Sequence, residues 1–291
     1  MPFFTAPDGT RLAYHVRGEG EPLVVLPGGP MRASVHLGDL GGLAAHRRLI
    51  LLDLRGTGDS ALPADPATYR CDRQVDDVEA LRVHLGLERV DVLAHSAGGS
   101  LAMLYAGRYP HRVGRLALIT VIPWALGRSA TVADRLTAAR LRADEPWFAT
   151  AYPAFEAWLT GEGEGESEGD AGSDSDADDW TGFGGFFYGR WDDTARAHLA
   201  AADEQTNPEG GERFHDPAGY DPPALRAALA EVTAPVLVLA GEVDGGPRPE
   251  LARLVADAFP NAEFAVQPGA GHYPWRDDPG WFVRRVEGFL G

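Results

Sequence analysis

Val90-Asp-Val-Leu-Ala-His-Ser96-Ala-Gly-Gly99 decides how the rest of the chain is read. A short apolar run ends in a small residue, Ala94, then passes through His95, Ser96 and Ala97 to two glycines. Ser100-Leu-Ala-Met-Leu-Tyr-Ala106 then continues with helical spacing. This is the pattern of a buried strand that turns sharply into a helix, and small flanking residues let such a turn lift a serine out at its apex. A serine hydroxyl is a poor nucleophile at neutral pH, so it needs that exposure and a base beside it. Ser96 is the candidate nucleophile. The usual glycine two positions before the serine is Ala94 here, a mild departure.

Working outward from this turn, short β-rich runs alternate with longer amphipathic ones. Strands are expected at 12–16, 23–26, 49–53, 90–94, 116–121, 236–240 and 263–266, with helices at 74–85, 98–108, 250–258 and 279–290. Several strands are continuous apolar runs, which suits a mostly parallel central sheet covered by helices on both faces. The alternation breaks down between 122 and 233, far beyond ordinary loop length. Two units are therefore expected: a core made of 1–121 and 234–291, and an inserted, mainly helical cap at 122–233. The insert carries Trp124, Trp147, Trp158, Trp180 and Trp191, with Phe148, Phe155, Phe183, Phe186, Phe187 and Tyr188. These aromatics would form its own small core, line an apolar pocket, or do both.

The formal charge of -17 disfavours nucleic acid or an anionic membrane surface as a partner. Nine of the acids lie in 161–179, and without them the charge would be -8. That segment has nothing larger than Glu and no aliphatic period, so it reads as a flexible surface loop. No run approaches the length of a membrane span and the N-terminus lacks a basic start before a long apolar run, so a cytoplasmic location is expected. The single cysteine, Cys71, can close no intrachain disulfide, and no metal-ligand set surrounds it. No metal or cofactor is called for.

If Ser96 attacks a carbonyl, the resulting oxyanion needs two aligned donors. One is the backbone N–H of Ala97 at the helix start. The other is expected from the glycine-rich loop after an earlier strand, Leu23-Val-Val-Leu-Pro-Gly28-Gly29-Pro30, with Gly29 preferred and Gly28 second. A base and its orienting acid should follow the serine in chain order. Asp244, after the apolar run 237–240, and His272, in Pro268-Gly-Ala-Gly-His272, each fall at the carboxyl end of a strand, where open sheets of this kind place their ligands. Glu242 is the competing acid, closer to its strand than an acid loop requires. His95 points away if Ser96 holds the apex, and His15, His84 and His111 fall on strand or helix surfaces.

With these residues in place the chain resembles the α/β-hydrolase superfamily along nearly its whole length. Asp53-Leu-Arg55-Gly56-Thr-Gly58-Asp-Ser60 looks like that superfamily's D-x-R-G-x-G-x-S loop. Pro27-Gly-Gly-Pro, the Asp53 loop and Ser96-Ala-Gly-Gly-Ser-Leu-Ala-Met-Leu-Tyr-Ala are more narrowly similar to the proline iminopeptidases. Pro27 replaces that family's His, Met31 the last Gly of its loop, and Ala97 its Trp. The resemblance implies an α/β-hydrolase fold with a helical cap and a serine aminopeptidase acting on a peptide or small-molecule substrate with a free amino terminus. Such enzymes bind the substrate ammonium with cap carboxylates, which places Glu204 and then Glu212 as substrate-binding candidates. A solvated helix acid is the plainer reading of Glu204. An esterase, lactonase or thioesterase with the same triad is the alternative, and a non-catalytic ligand-binding protein a third.

Overall fold

The computed structural model describes residues 1–161 and 182–291, so the acidic stretch expected at 161–179, and Trp180, lie outside the described residues except for Gly161. The strands are β1 (Phe3–Thr5), β2 (Arg11–Arg17), β3 (Pro22–Leu26), β4 (Arg48–Leu52), β5 (Val90–His95), β6 (Val113–Ile119), β7 (Val236–Gly241) and β8 (Ala262–Gln267). They form one sheet in the order β1-β2-β4-β3-β5-β6-β7-β8. Strands β3 to β8 pair in parallel, and β1 and β2 pair antiparallel at one edge.

The helices are α1 (Val75–His84), α2 (Gly98–Arg108), α3 (Val132–Arg140), α4 (Phe148–Thr160), α5 (Asp193–Ala200), α6 (Ala202–Gln205), α7 (Pro208–Phe214), α8 (Pro222–Leu229), α9 (Pro249–Ala256), α10 (Pro274–Asp277) and α11 (Pro279–Leu290). The strands alternate their side chains between two apolar layers. Val24 and Leu26 join Leu81, Leu101, Leu229 and Val255 from α1, α2, α8 and α9 on one face. Leu23 and Val25 join Phe282, Val286 and Phe289 of α11 on the other. Burying both faces explains why these strands read as unbroken apolar runs.

Strand β6 starts three residues earlier than expected and stops at Ile119, because Thr120 turns to a φ of 48° while its N–H bonds the carbonyl of β7 Leu239. The edge strand β1 is too short to announce itself as a pattern, although it pairs with β2 over three residues. Between β6 and β7 the chain builds a separate aromatic cluster in which Phe155, Phe183 and Phe186 are buried against Trp147, Phe148 and Trp158. The end of the insert returns to the sheet before β7, since Leu225 and Leu229 of α8 pack in the layer that α2 shares.

Candidate active site

Strand β5 lies near the middle of the sheet, and its chain turns at Ser96 with φ 50°, a left-handed conformation that L residues adopt rarely. The turn is held by the Ser96 N–H on the Ile119 carbonyl at 3.0 Å and by the Gly99 N–H on the Ser96 carbonyl at 2.9 Å. A Cβ on Gly98 would run into the Pro27 carbonyl, so the helix can start this close to the β3 loop only with glycine there.

Ser96 Oγ lies 2.8 Å from His272 Nε2, and His272 Nδ1 lies 2.9 Å from Asp244 Oδ2. The loops after β7 and β8 thus bring the two distant residues to the serine. Asp244 is fully buried, and its second oxygen accepts the Gly246 N–H at 2.8 Å. A buried carboxylate facing Nδ1 places the proton there, which leaves Nε2 as the acceptor for the serine hydroxyl. Glu242 is turned away, accepting the Gly269 N–H at 2.7 Å.

Gly29 takes φ 130°, a region open to glycine, and is exposed at the mouth of the β3 loop, whereas Gly28 is buried where an added Cβ would run into the His95 ring. Ala97 sits at the start of α2. Neither the Gly29 nor the Ala97 N–H is taken by a protein acceptor among the described residues. Glu204, on α6, and Glu212, on α7, are both exposed.

The neighbour of Glu204 does reach inward. Gln205 Oε1 accepts from Arg32 Nε and Nη2 at 2.9 and 2.8 Å, and Arg32 Nη2 also donates to the His198 carbonyl at 2.8 Å. Arg32 is buried, and among the described residues no carboxylate pairs with it. Its charge falls on His36, His198 and Tyr273, which sequence reasoning passed over, and on Tyr188 of the insert's aromatics. Burial first and the Arg32 charge second push His36 well below the usual range and His198 down to about 3, so both are neutral bases. These residues share no local motif.

His95 is held neutral in the same way, by burial and then by the neighbouring His272 and His36. His15 and His84, expected on open surfaces, are partnered: His15 Nε2 lies 2.9 Å from Asp53 Oδ2, and His84 Nε2 lies 3.2 Å from the Tyr14 hydroxyl. Asp53 also accepts from the N–H and hydroxyl of Ser34, tying the D-x-R-G loop to the loop that follows Gly29. His15, Asp53 and Asp59 gather three potential ligand atoms within 4.8 Å, but the Asp53 oxygens are already engaged by these bonds.

A family model described as alpha/beta hydrolase fold matches residues 21–279. The chain belongs to that family. Its likeness extends to proline iminopeptidases. It is 41% identical over 106 residues to a proline iminopeptidase of Lactobacillus crispatus, a match covering 35% of this chain and 36% of that protein. It is 33% identical over 124 residues to a cis-3-alkyl-4-alkyloxetan-2-one decarboxylase of Shewanella oneidensis, covering 41% and 39%. The chain thus spans little more than a third of the length of these curated relatives. A solved proline iminopeptidase of Mycobacterium smegmatis superposes with a TM-score of 0.70 at 28% identity, covering 99% of this chain and 97% of that one. Among the described residues no helix is long and apolar enough to cross a membrane.

Proposed function

We propose that this hydrolase cleaves a carboxylic amide or ester through an acyl-enzyme on Ser96. The observation that carries the reading is the unbroken chain of short contacts from Ser96 Oγ through His272 to Asp244. In the first half-reaction Ser96 Oγ attacks the carbonyl carbon while His272 Nε2 takes the hydroxyl proton, and Asp244 steadies the imidazolium through Nδ1–H. The N–H groups of Gly29 and Ala97 hold the oxyanion. As the tetrahedral intermediate collapses, His272 returns the proton to the leaving amine or alcohol. Water then attacks the acyl-enzyme with His272 as base, releasing the acid and restoring Ser96.

The substrate we assign first is an aminoacyl amide or peptide with a free amino terminus, a reading supported by the relatives named proline iminopeptidase. Glu204 would bind its ammonium, with Glu212 second. A second reading, an ester or lactone without a free amine, is favoured by one observation: Arg32, a buried cation bonded to Gln205 and the His198 carbonyl, would repel an ammonium brought close to it.

Parallel hydrolysis of free and N-blocked aminoacyl p-nitroanilides and simple p-nitrophenyl esters, with Ser96→Ala as the blank, separates the two. Preference for the free amine, lost in Glu204→Gln while ester turnover persists, supports the first. Equal rates on blocked substrates support the second. Turnover that survives in Ser96→Ala removes both.

A further inference from the structure

The loops that carry Asp244 and His272 are not held by the core alone. The Gly245 N–H donates to the Phe186 carbonyl at 2.9 Å, and the His272 N–H donates to the Phe187 carbonyl at 2.8 Å. Consecutive peptide units of the insert therefore anchor the residue after Asp244 and His272 itself. The approach is close enough to exclude a side chain at either loop: a Cβ on Gly245 would sit 2.6 Å from the Phe186 oxygen, and one on Gly271 would sit 2.6 Å from the Phe187 oxygen. The contact continues beyond Tyr188, where the Arg190 N–H donates to Asp277 Oδ1 at 3.1 Å and Asp277 Oδ2 accepts the Gly271 N–H at 2.8 Å.

On the far side, the same two residues are fastened into the aromatic cluster of the insert. The Phe186 ring is buried, stacked on Phe155 at 4.7 Å and edge-on to Trp147 at 5.0 Å. We propose that Phe186 is a positioning residue for the reaction: its ring, locked in the cap's aromatic core, fixes the Phe186–Phe187 carbonyls that set the register of Asp244 against His272. The insert then acts on catalysis through this one contact, because triad geometry depends on how the Phe186 ring is seated. This rests on the assignment of Ser96, His272 and Asp244 under Proposed function. A misplacement of about 1 Å in such a pair costs on the order of 100-fold in rate.

The test compares Phe186→Ala, Phe186→Tyr and Leu159→Ala in the full chain. Leu159 belongs to the same cap cluster and, like Phe186, is buried. Two readouts are taken per folded molecule: the rate of labelling by a small fluorophosphonate, which needs no knowledge of the substrate, and the downfield proton NMR signal of the His272 Nδ1–H held by Asp244. The expected result is that Phe186→Ala slows labelling on the order of 10-fold to 100-fold and weakens or moves the downfield signal. Phe186→Tyr stays near wild type, and Leu159→Ala loses stability with labelling unchanged. The proposal is overturned if Phe186→Ala labels like wild type with its signal in place, or if Leu159→Ala slows labelling equally. A wild-type protein that does not label at all overturns the Ser96 assignment instead, and the His272 signal in the three variants still decides the role of Phe186.

Discussion

The His95 Nε2–H donates to the main-chain carbonyl of His272 at 3.0 Å, and the Thr120 hydroxyl donates to the same oxygen at 3.0 Å. The residue before Ser96 thus holds the backbone of His272. The His95 ring is wedged between His272 and Trp275, with centroids 4.9 and 4.8 Å away, and its buried Nδ1 has no partner among the described residues.

Replacing His95 tests this link. His95→Leu removes the donor and should cost about 1 kcal/mol of stability and roughly tenfold in kcat, with KM little changed. His95→Gln, which can still donate, should recover most of the rate. Because burial keeps His95 neutral far below the usual histidine range, the shape of the pH profile of kcat/KM should be the same in both variants. A limb of that profile that disappears with His95 would show that the ring titrates during turnover.

The Arg32 side chain ties the loop after Gly29 to the 198–205 segment through three bonds to Gln205 and His198, and the neighbouring Ala33 N–H adds a bond to the Gln205 carbonyl at 2.7 Å. Arg32→Met should destabilise the fold by about 2–3 kcal/mol, since it leaves buried acceptors without donors. It also removes a cation that disfavours the charged form of His198. The His198 pKa, held down to about 3, should therefore rise, although burial as its larger cause will keep it below 6.5. Histidine ring proton titration reads the shift directly, and an unmoved His198 would mean that Arg32 is not felt there.

Arg55, in the D-x-R-G loop, grips Asp77 with Nε and Nη2 at 2.9 and 2.6 Å and reaches Asp8 with Nη1 at 2.7 Å. Arg55 and Asp77 are almost fully buried. Arg55→Met strands the Asp77 carboxylate and should cost about 3–5 kcal/mol by denaturant unfolding. The double variant Arg55→Met, Asp77→Leu should recover much of that loss. Equal stability of the single and double variants would mean that the pair is not coupled.

The parts of this molecule that were legible in the sequence are those written in local pattern. The strand, turn and helix around Ser96 occupy consecutive residues, and helix α2 falls at the residues its spacing marks. Asp244 and His272 were found because each follows a strand in the same parallel sheet, which puts them on one edge. The His95–His272 bond spans 177 positions and leaves no trace in spacing. Arg32 meets Gln205 and the His198 carbonyl more than 160 positions along the chain, and His36 and His198 lie on different elements with nothing to announce their meeting. The insert's aromatics announced a cluster, but not that main-chain carbonyls from it would reach Gly245 and His272. Glu204 was drawn by resemblance, and its side chain is on the outside.

Buried neutral histidines also make the fold sensitive to acid. His215 stacks flat on Trp124 with centroids 4.2 Å apart and planes 1° apart, and its buried Nδ1 has no partner among the described residues. Burial pushes its pKa down to about 4, while the unfolded chain titrates near 6.5. Between those two values the unfolded state binds a proton that the native site refuses, so stability is full above about pH 6.5 and falls as the pH drops toward 4. The loss for one such site is at most about 1.4 kcal/mol per pH unit, levelling off below the folded value. His198 extends the same trend toward pH 3. His215→Phe keeps a flat ring against Trp124 and removes the titration, so denaturant unfolding at pH 7, 6 and 5 should show a shallower loss than wild type. Carboxylates that titrate in both proteins cancel in the comparison, and parallel slopes would show that His215 is protonated as readily in the fold as out of it.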